Sequence, residues 1–259
     1  MEKKSAKRAA WKWIALAVAA IAIAWFLRGC AQPIASGSFD YRLIDNDTAI
    51  EITGFRGGGG ALQIPSHFQG LPVTRIGDDT FSRRSGAERS FTLLEITEGR
   101  RRLNAVTIPD TVTRIGRYAF RENRLREVSF PDSVTRIEFG AFARNRFASI
   151  DIGNGVTHIE RNAFASNRLV SVDIPSTVVY LAGFTNNRIR HVYISYGVRY
   201  IGEWAFRHNR LREVTIPDSV AEIGEMAFRN NRLREVSVPR HTIVSDNAFD
   251  RRVTVTRRD

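Results

Sequence analysis

A single cysteine, Cys30, among 259 residues excludes an internal disulfide framework and a cysteine-based zinc cluster. The chain also lacks any HExxH, GxSxG or GK[ST] string, and its five histidines, His67, His158, His191, His208 and His241, are too scattered for a metal triad. Gly57–Gly60 has no Lys-Ser or Lys-Thr after it and reads as a turn, not a phosphate loop. Asp45-Asn46-Asp47 lacks the Gly and the distant Glu of a calcium loop and also reads as a turn. No nucleophile, base and oxyanion donor fall into a recognisable pattern, so an enzyme is not expected, and neither a metal nor a cofactor is called for. Acidic charge is in deficit, with 27 Asp and Glu against 39 Lys and Arg, a net +12. Residues 1 to 29 contribute +5 of this and the remainder +7.

Long apolar runs are absent except for one. Five cations in residues 3 to 12 precede Trp13–Leu27, 15 residues that would span roughly 22 Å as a helix. That is short for a membrane span and suited to a signal peptide; extension back to Ala9, with Lys12 snorkelling, gives roughly 28 Å and allows an uncleaved signal anchor. The order Leu27, Arg28, Gly29, Cys30 resembles a bacterial lipobox, which implies lipidation at Cys30; Arg28 departs from the usual small or apolar residue. Lipoprotein processing, a signal anchor and conventional cleavage all export the body of the chain, and the cations before Trp13 keep the N-terminus inside. Residues 30 to 38 read as a linker.

A repeat of about 22 residues fills the rest. Phe120, Phe142, Phe164, Phe184, Phe206, Phe228 and Phe249 recur at spacings of 22, 22, 20, 22, 22 and 21. Asn123, Asn145, Asn167, Asn187, Asn209 and Asn231 keep the same beat, as do Leu125, Phe147, Leu169, Ile189, Leu211 and Leu233. An alternating strand (Leu125, Val128, Phe130) ends at Pro131, and Val134-x-x-Ile137 with Ala141-Phe142 returns across the other side. One unit cannot bury these residues alone, whereas stacked units make a continuous core. The expected fold is mainly β: a solenoid of about seven coils of 20–22 residues, roughly 35 Å long at a strand spacing of about 4.8 Å. The Asn column reads as a buried ladder whose amides bond the loop backbone of adjacent coils. Phe81 to Phe120 is 39 residues, and this interval reads as one degenerate coil with Leu94 and Ile96 inside. The short coil at Phe184 should pinch the stack, and Val253-Thr254-Val255 reads as a closing strand.

The segments Pro131–Phe147, PDSVTRIEFGAFARNRF, and Ile216–Val236, IPDSVAEIGEMAFRNNRLREV, resemble the BspA-type, spirochaetal class of leucine-rich repeat. The resemblance covers residues 49 to 250 and implies a leucine-rich-repeat solenoid over 64–250, a β-hairpin cap over 39–63 and a closing strand and tail over 251–259. The position commonly Cys in that class is Asn here. Proteins of this kind are surface antigens implicated in adhesion to host matrix or plasma proteins.

Arg102, Arg124, Arg146, Arg168, Arg188, Arg210 and Arg232 form a column, one before each apolar strand starter. Like charges 5 Å apart repel by about 0.8 kcal/mol per pair even in water, and Glu127, Glu213 and Glu235 offer internal pairing. Ser149 and Ser171 replace Glu in the middle coils, near Tyr180, Tyr193, Tyr196 and Tyr200. A ligand-binding strip is therefore expected at Arg146, Arg168, Arg188, Tyr193 and Arg210, for a protein partner with acidic groups. Nucleic acid is disfavoured, because an exported chain seldom meets it. The leading expectation is a membrane-anchored, non-catalytic adhesion module at the bacterial cell surface or outer membrane; the rival is an inner-membrane-anchored periplasmic scaffold that holds anionic lipid or cell-wall polymer.

Overall fold

A computed structural model describes residues 38–82 and 102–259. The export segment 1–29, Cys30, nearly all of the 30–38 linker and the pair Leu94 and Ile96 lie outside the described residues. Among those described, no helix is long and apolar enough to cross a membrane.

The elements, in chain order, are all strands: β1 (Phe39–Ile44), β2 (Ala49–Phe55), β3 (Gly60–Gln63), β4 (His67–Phe68), β5 (Leu71–Ile76) and β6 (Leu103–Thr107). Next come β7 (Arg114–Ile115), β8 (Arg136–Ile137), β9 (His158–Ile159), β10 (Ser171–Ile174), β11 (Tyr180–Leu181) and β12 (His191–Ile194). The last are β13 (Tyr200–Ile201), β14 (Glu222–Ile223), β15 (Glu235–Pro239), β16 (Ile243–Val244) and β17 (Thr254–Arg258). The fold is a leucine-rich-repeat β-solenoid, and we name each coil after its asparagine.

One side of the solenoid is a sheet running β1-β2-β5-β7-β8-β9-β11-β13-β14-β16, parallel from β2 onward. Its short strands come from the Val-Thr-x-Ile pattern: the Ile enters the core and the residue before it faces out. Thr113, Thr135 and Thr157 each donate a hydroxyl hydrogen bond to a carbonyl of the coil before, tying the sheet along its length. The β1–β2 hairpin packs antiparallel at the beginning of this sheet. Its turn places Asp45, Asn46 and Asp47 all in the left-handed region, which short polar side chains tolerate. Opposite, the Leu-x-x-Val-x-Phe strands pair only locally, as β3/β6, β10/β12 and β15/β17. Residues 125–130, 147–152 and 211–216 bury Leu125, Val128, Phe130, Phe147, Ile152, Leu211 and Ile216 and half-bury Ile150 and Val214, without a regular ladder.

Between the two sides the phenylalanines form a column. Eight rings, from Phe81 to Phe249, stack at 4.9–5.6 Å with interplanar angles of 4–14°. That spacing is the strand repeat plus a small offset, and each offset-stacked pair adds about 0.5–1.5 kcal/mol beyond the area it buries.

Phe81 stacks directly on Phe120, β3 pairs with β6 and β5 with β7, so the coils on either side of the interval 83–101 pack against each other. One expectation changes here. At Phe184 the column, the asparagines and both sheets keep their register, and the two missing residues come out of the turn between Leu181 and Phe184. The other coils turn there through a left-handed residue, Tyr118, Gly140, Asn162, Trp204 or Met226; the short coil omits it. Gly183 makes the tight path possible, since a Cβ there would lie 2.5 Å from Ile159 Cγ2. Over the shortened turn Arg161 reaches across two coils to Glu203 at 2.6 Å, its guanidinium between the rings of Phe139 and Trp204.

Candidate interaction surface

Each asparagine sits buried at the corner where the turn enters the Leu strand. Asn145 shows the pattern: its Nδ2 donates to the carbonyls of Phe142 at 3.1 Å and of Phe120, one coil earlier, at 2.9 Å. Its Oδ1 accepts the backbone N–H of Leu125 at 3.1 Å. Asn123, Asn167, Asn187, Asn209 and Asn231 make the same three bonds. Peptide groups that the corner leaves unpaired are thus satisfied by one side chain per coil. Where the next asparagine would stand, Arg252 donates to the Asn231 carbonyl at 3.0 Å, and nearby Asp250 accepts the N–H groups of Asn230 and Asn231.

The arginines come next in the chain. The backbone N–H of Arg146, Arg168, Arg188 and Arg210 bonds the carbonyl of Leu125, Phe147, Leu169 and Ile189 at 2.8–2.9 Å, so their roots are held one coil apart. Among the described residues, Arg124, Arg146, Arg168, Arg188, Arg210 and Arg232 have no carboxylate within ion-pair distance. Pairing with Glu127, Glu213 or Glu235 does not occur, because three residues along an extended strand separate the roots by about 10 Å. Ion pairs lie instead about the short-strand sheet and its turns: Arg114 with Glu138, Arg136 with Glu160, and Arg144 with Glu122.

Tyr193 does not join this row. It lies in β12, opposite Asp173 of β10, and is 65% exposed. Five residues separate it from Arg188, roughly 16 Å along the strand. Tyr193 walls an open groove of about 520 Å³ that also contains Asp151, Gly153, Asn154, Asp173 and Ser195. A reading centred on arginine misses these groove residues. The available signal is the column Ser129, Asp151, Asp173, Tyr193, Thr215, Ser237, acidic only in two middle coils. On the other sheet Tyr180 and Tyr200 pair across β11 and β13 and line a second groove of about 250 Å³ with Glu203, Glu222 and Glu225.

Two groups in this region titrate away from their ordinary values. Burial, then the nearby Arg136 charge, pulls the His158 imidazole below 6.5. Burial, then Glu160, pushes the Tyr180 phenol above 10. Among the described residues no cluster of three or more His, Cys, Asp or Glu could hold a metal ion.

Residues 98–184 and 182–256 match the BspA type Leucine rich repeat region, in six copies. Among solved structures, the chain is similar to a T. pallidum leucine-rich repeat protein, with 22% identity, 86% of each chain covered and a TM-score of 0.54. It is also similar to a leucine-rich cell surface protein of Faecalibacterium prausnitzii, with 23% identity, 84% of this chain and 58% of that one covered, and a TM-score of 0.54. No curated protein matches. Six copies of the repeat over most of the chain, on a solenoid with one buried asparagine at each repeat corner, place it: the chain belongs to the BspA-type leucine-rich repeat family.

Proposed function

We propose that this protein is exported, held at the bacterial envelope through its N-terminal segment or a lipid on Cys30, and acts at the cell surface as a non-catalytic adhesion module. The single observation that carries this reading is the row of arginines from Arg124 to Arg232, held at coil spacing and left without carboxylate partners. Uncompensated like charges a few ångströms apart cost stability, about 0.8 kcal/mol per adjacent pair in water. An anionic partner laid along the row would remove that cost. A protein presenting spaced acidic side chains fits a row with one cation per coil, and repeat proteins bind through such columns.

The test combines protease treatment of intact cells, for wild type and Cys30→Ala, with the mass of the mature N-terminus. Shaving of the body from whole cells and an acylated Cys30 at the N-terminus are the expected results. A chain that retains residues 1–29 and resists protease until cells are opened refutes the surface reading and points to a periplasmic scaffold. For the row itself, Arg168→Glu with Arg188→Glu should abolish capture of a fluorescent Glu-rich peptide; unchanged capture overturns its assignment.

A further inference from the structure

We propose that the edge of the Asn187 coil is a second binding site, of opposite sign to the arginine row, and that it takes a lysine- or arginine-bearing segment of a protein partner. Tyr193, Tyr196 and Tyr200 succeed one another around this edge and are 65%, 73% and 45% exposed. At the same three positions the next coil has Thr215, Asp218 and Glu222, so the aromatic ridge belongs to one coil. Gly197 seats the Tyr196 turn directly on the Asn167 coil, since a Cβ there would come 1.8 Å from the Ser176 carbonyl. The ridge is thus carried on a close-packed turn rather than on a loose loop.

The ridge stands between two grooves, and both are acidic. Asp151 and Asp173 flank Tyr193 in the larger; Glu203, Glu222 and Glu225 flank Tyr200 in the smaller. Neither groove is lined by a lysine or an arginine. Among the described residues, only Glu203 of the five carboxylates has an ion-pair partner, Arg161. Asp151 accepts the N–H of Gly153, and Glu225 the amide of Asn247. Among the described residues, four carboxylates therefore keep their charge uncompensated in a protein of net +12, gathered beside the most exposed aromatic rings of that set.

Carboxylates combined with open aromatic faces select a cation. An ammonium or guanidinium gains an ion pair from the acid and a cation–π contact from the ring, worth about 0.5–1 kcal/mol at an exposed site. A neutral saccharide could stack on the tyrosines but would leave four charges unanswered, and an acidic chain would be repelled. The larger groove lies roughly 16 Å along the strand from the arginine row. The two sites therefore do not share residues, and this one stands whether or not the arginine row binds.

The experiment is a fluorescence anisotropy titration of full-length protein, in nonionic detergent, with a labelled ten-residue Gly-Lys-Arg peptide. The wild type should bind it, with affinity falling steeply as salt rises. Asp151→Asn with Asp173→Asn, and separately Glu222→Gln with Glu225→Gln, should each weaken binding at least tenfold. Tyr196→Ala should weaken it severalfold while Tyr196→Phe restores it. Arg168→Gln with Arg188→Gln should leave it unchanged or tighten it, although the same pair should weaken capture of the Glu-rich peptide. Circular dichroism of each variant distinguishes a lost site from a lost fold. The proposal is overturned if the amide variants bind the basic peptide as the wild type does. It is also overturned if a neutral cell-wall tetrasaccharide displaces the peptide, or if Glu222→Gln with Glu225→Gln dissolves a self-association of the wild type, which would make the occupant a second copy.

Discussion

Asn167 and Arg168 are neighbours in the chain, and the same pair of residue types recurs in six coils. Side by side they do opposite work. The asparagine is buried and uses both ends of its amide on the backbone of two coils. The arginine contributes only its main chain to the stack and leaves its guanidinium in solvent with no acidic partner. Equal regularity in sequence therefore does not mean equal contribution to the fold. One column repeats because every coil needs it, and the other repeats without stabilising anything it touches.

Breaking the asparagine should produce the largest effect. Asn167→Ala strands the Phe147 N–H in the core and takes one of two donors from each of the Phe142 and Phe164 carbonyls, which keep Asn145 and Asn187. A stranded group costs about 1–3 kcal/mol and a lost hydrogen bond about 0.5–1.5, so a loss of roughly 2–4 kcal/mol in urea unfolding is expected. Asn167→Asp should be no milder at neutral pH, because a carboxylate cannot donate to the carbonyls of Phe142 and Phe164. An intermediate case is an arginine that does bond the backbone. Arg258 donates to the carbonyls of Ser237 and Ile216 and pairs with Asp218, and Arg258→Ala should cost about 1–2 kcal/mol. By contrast, Arg168→Gln with Arg188→Gln should cost no stability and at low salt should raise it, by up to about 0.8 kcal/mol for each adjacent pair of charges removed. Adding salt should raise the unfolding midpoint of the wild type more than that of this variant, since salt screens repulsion only where repulsion exists. A fall in stability comparable to that of Asn167→Ala would erase the distinction between the columns.

The smallest effect concerns His158, in the outward column Arg114, Arg136, His158, Tyr180. The folded state binds this proton less readily than the unfolded chain, for burial and Arg136 both disfavour the imidazolium. Stability should therefore decline as pH drops below the ordinary value of 6.5, down through the lowered folded pKa, with no contribution above 6.5. His158→Gln should flatten that part of the pH profile of thermal unfolding while the rest of the curve stays in place.

Core columns are legible in the sequence because burial enforces them: Phe142, Asn145, Phe147 and Val134 each fill a position that every coil shares. The features that escape such reading depend on pairing rather than type. The step of 39 residues from Phe81 to Phe120 breaks the beat of the repeat, yet the two rings stack directly, a contact that spacing does not show. The turns are hidden for another reason. Tyr118, Trp204 and Met226 adopt left-handed backbone that sequence reasoning reserves for Gly and Asn, held there by coil-to-coil bonds such as Trp204 N–H to the Glu225 carbonyl. The arginines are visible but their lack of partners is not, because Glu127, three residues from Arg124, suggests a pair that extended backbone keeps apart. Tyr193 is exposed but has neighbours other than the arginines, since the strand carries it away from Arg188 and toward Asp173.

The interval between Phe81 and Arg102 has a practical meaning. The chain leaves one coil and re-enters the next while those two coils pack as though nothing had been added. Lengthening an excursion whose ends are already fixed costs little, about 0.6 kcal/mol per doubling. Added residues in this interval are therefore expected to leave the contact of these two coils, and the register of every later repeat, unchanged.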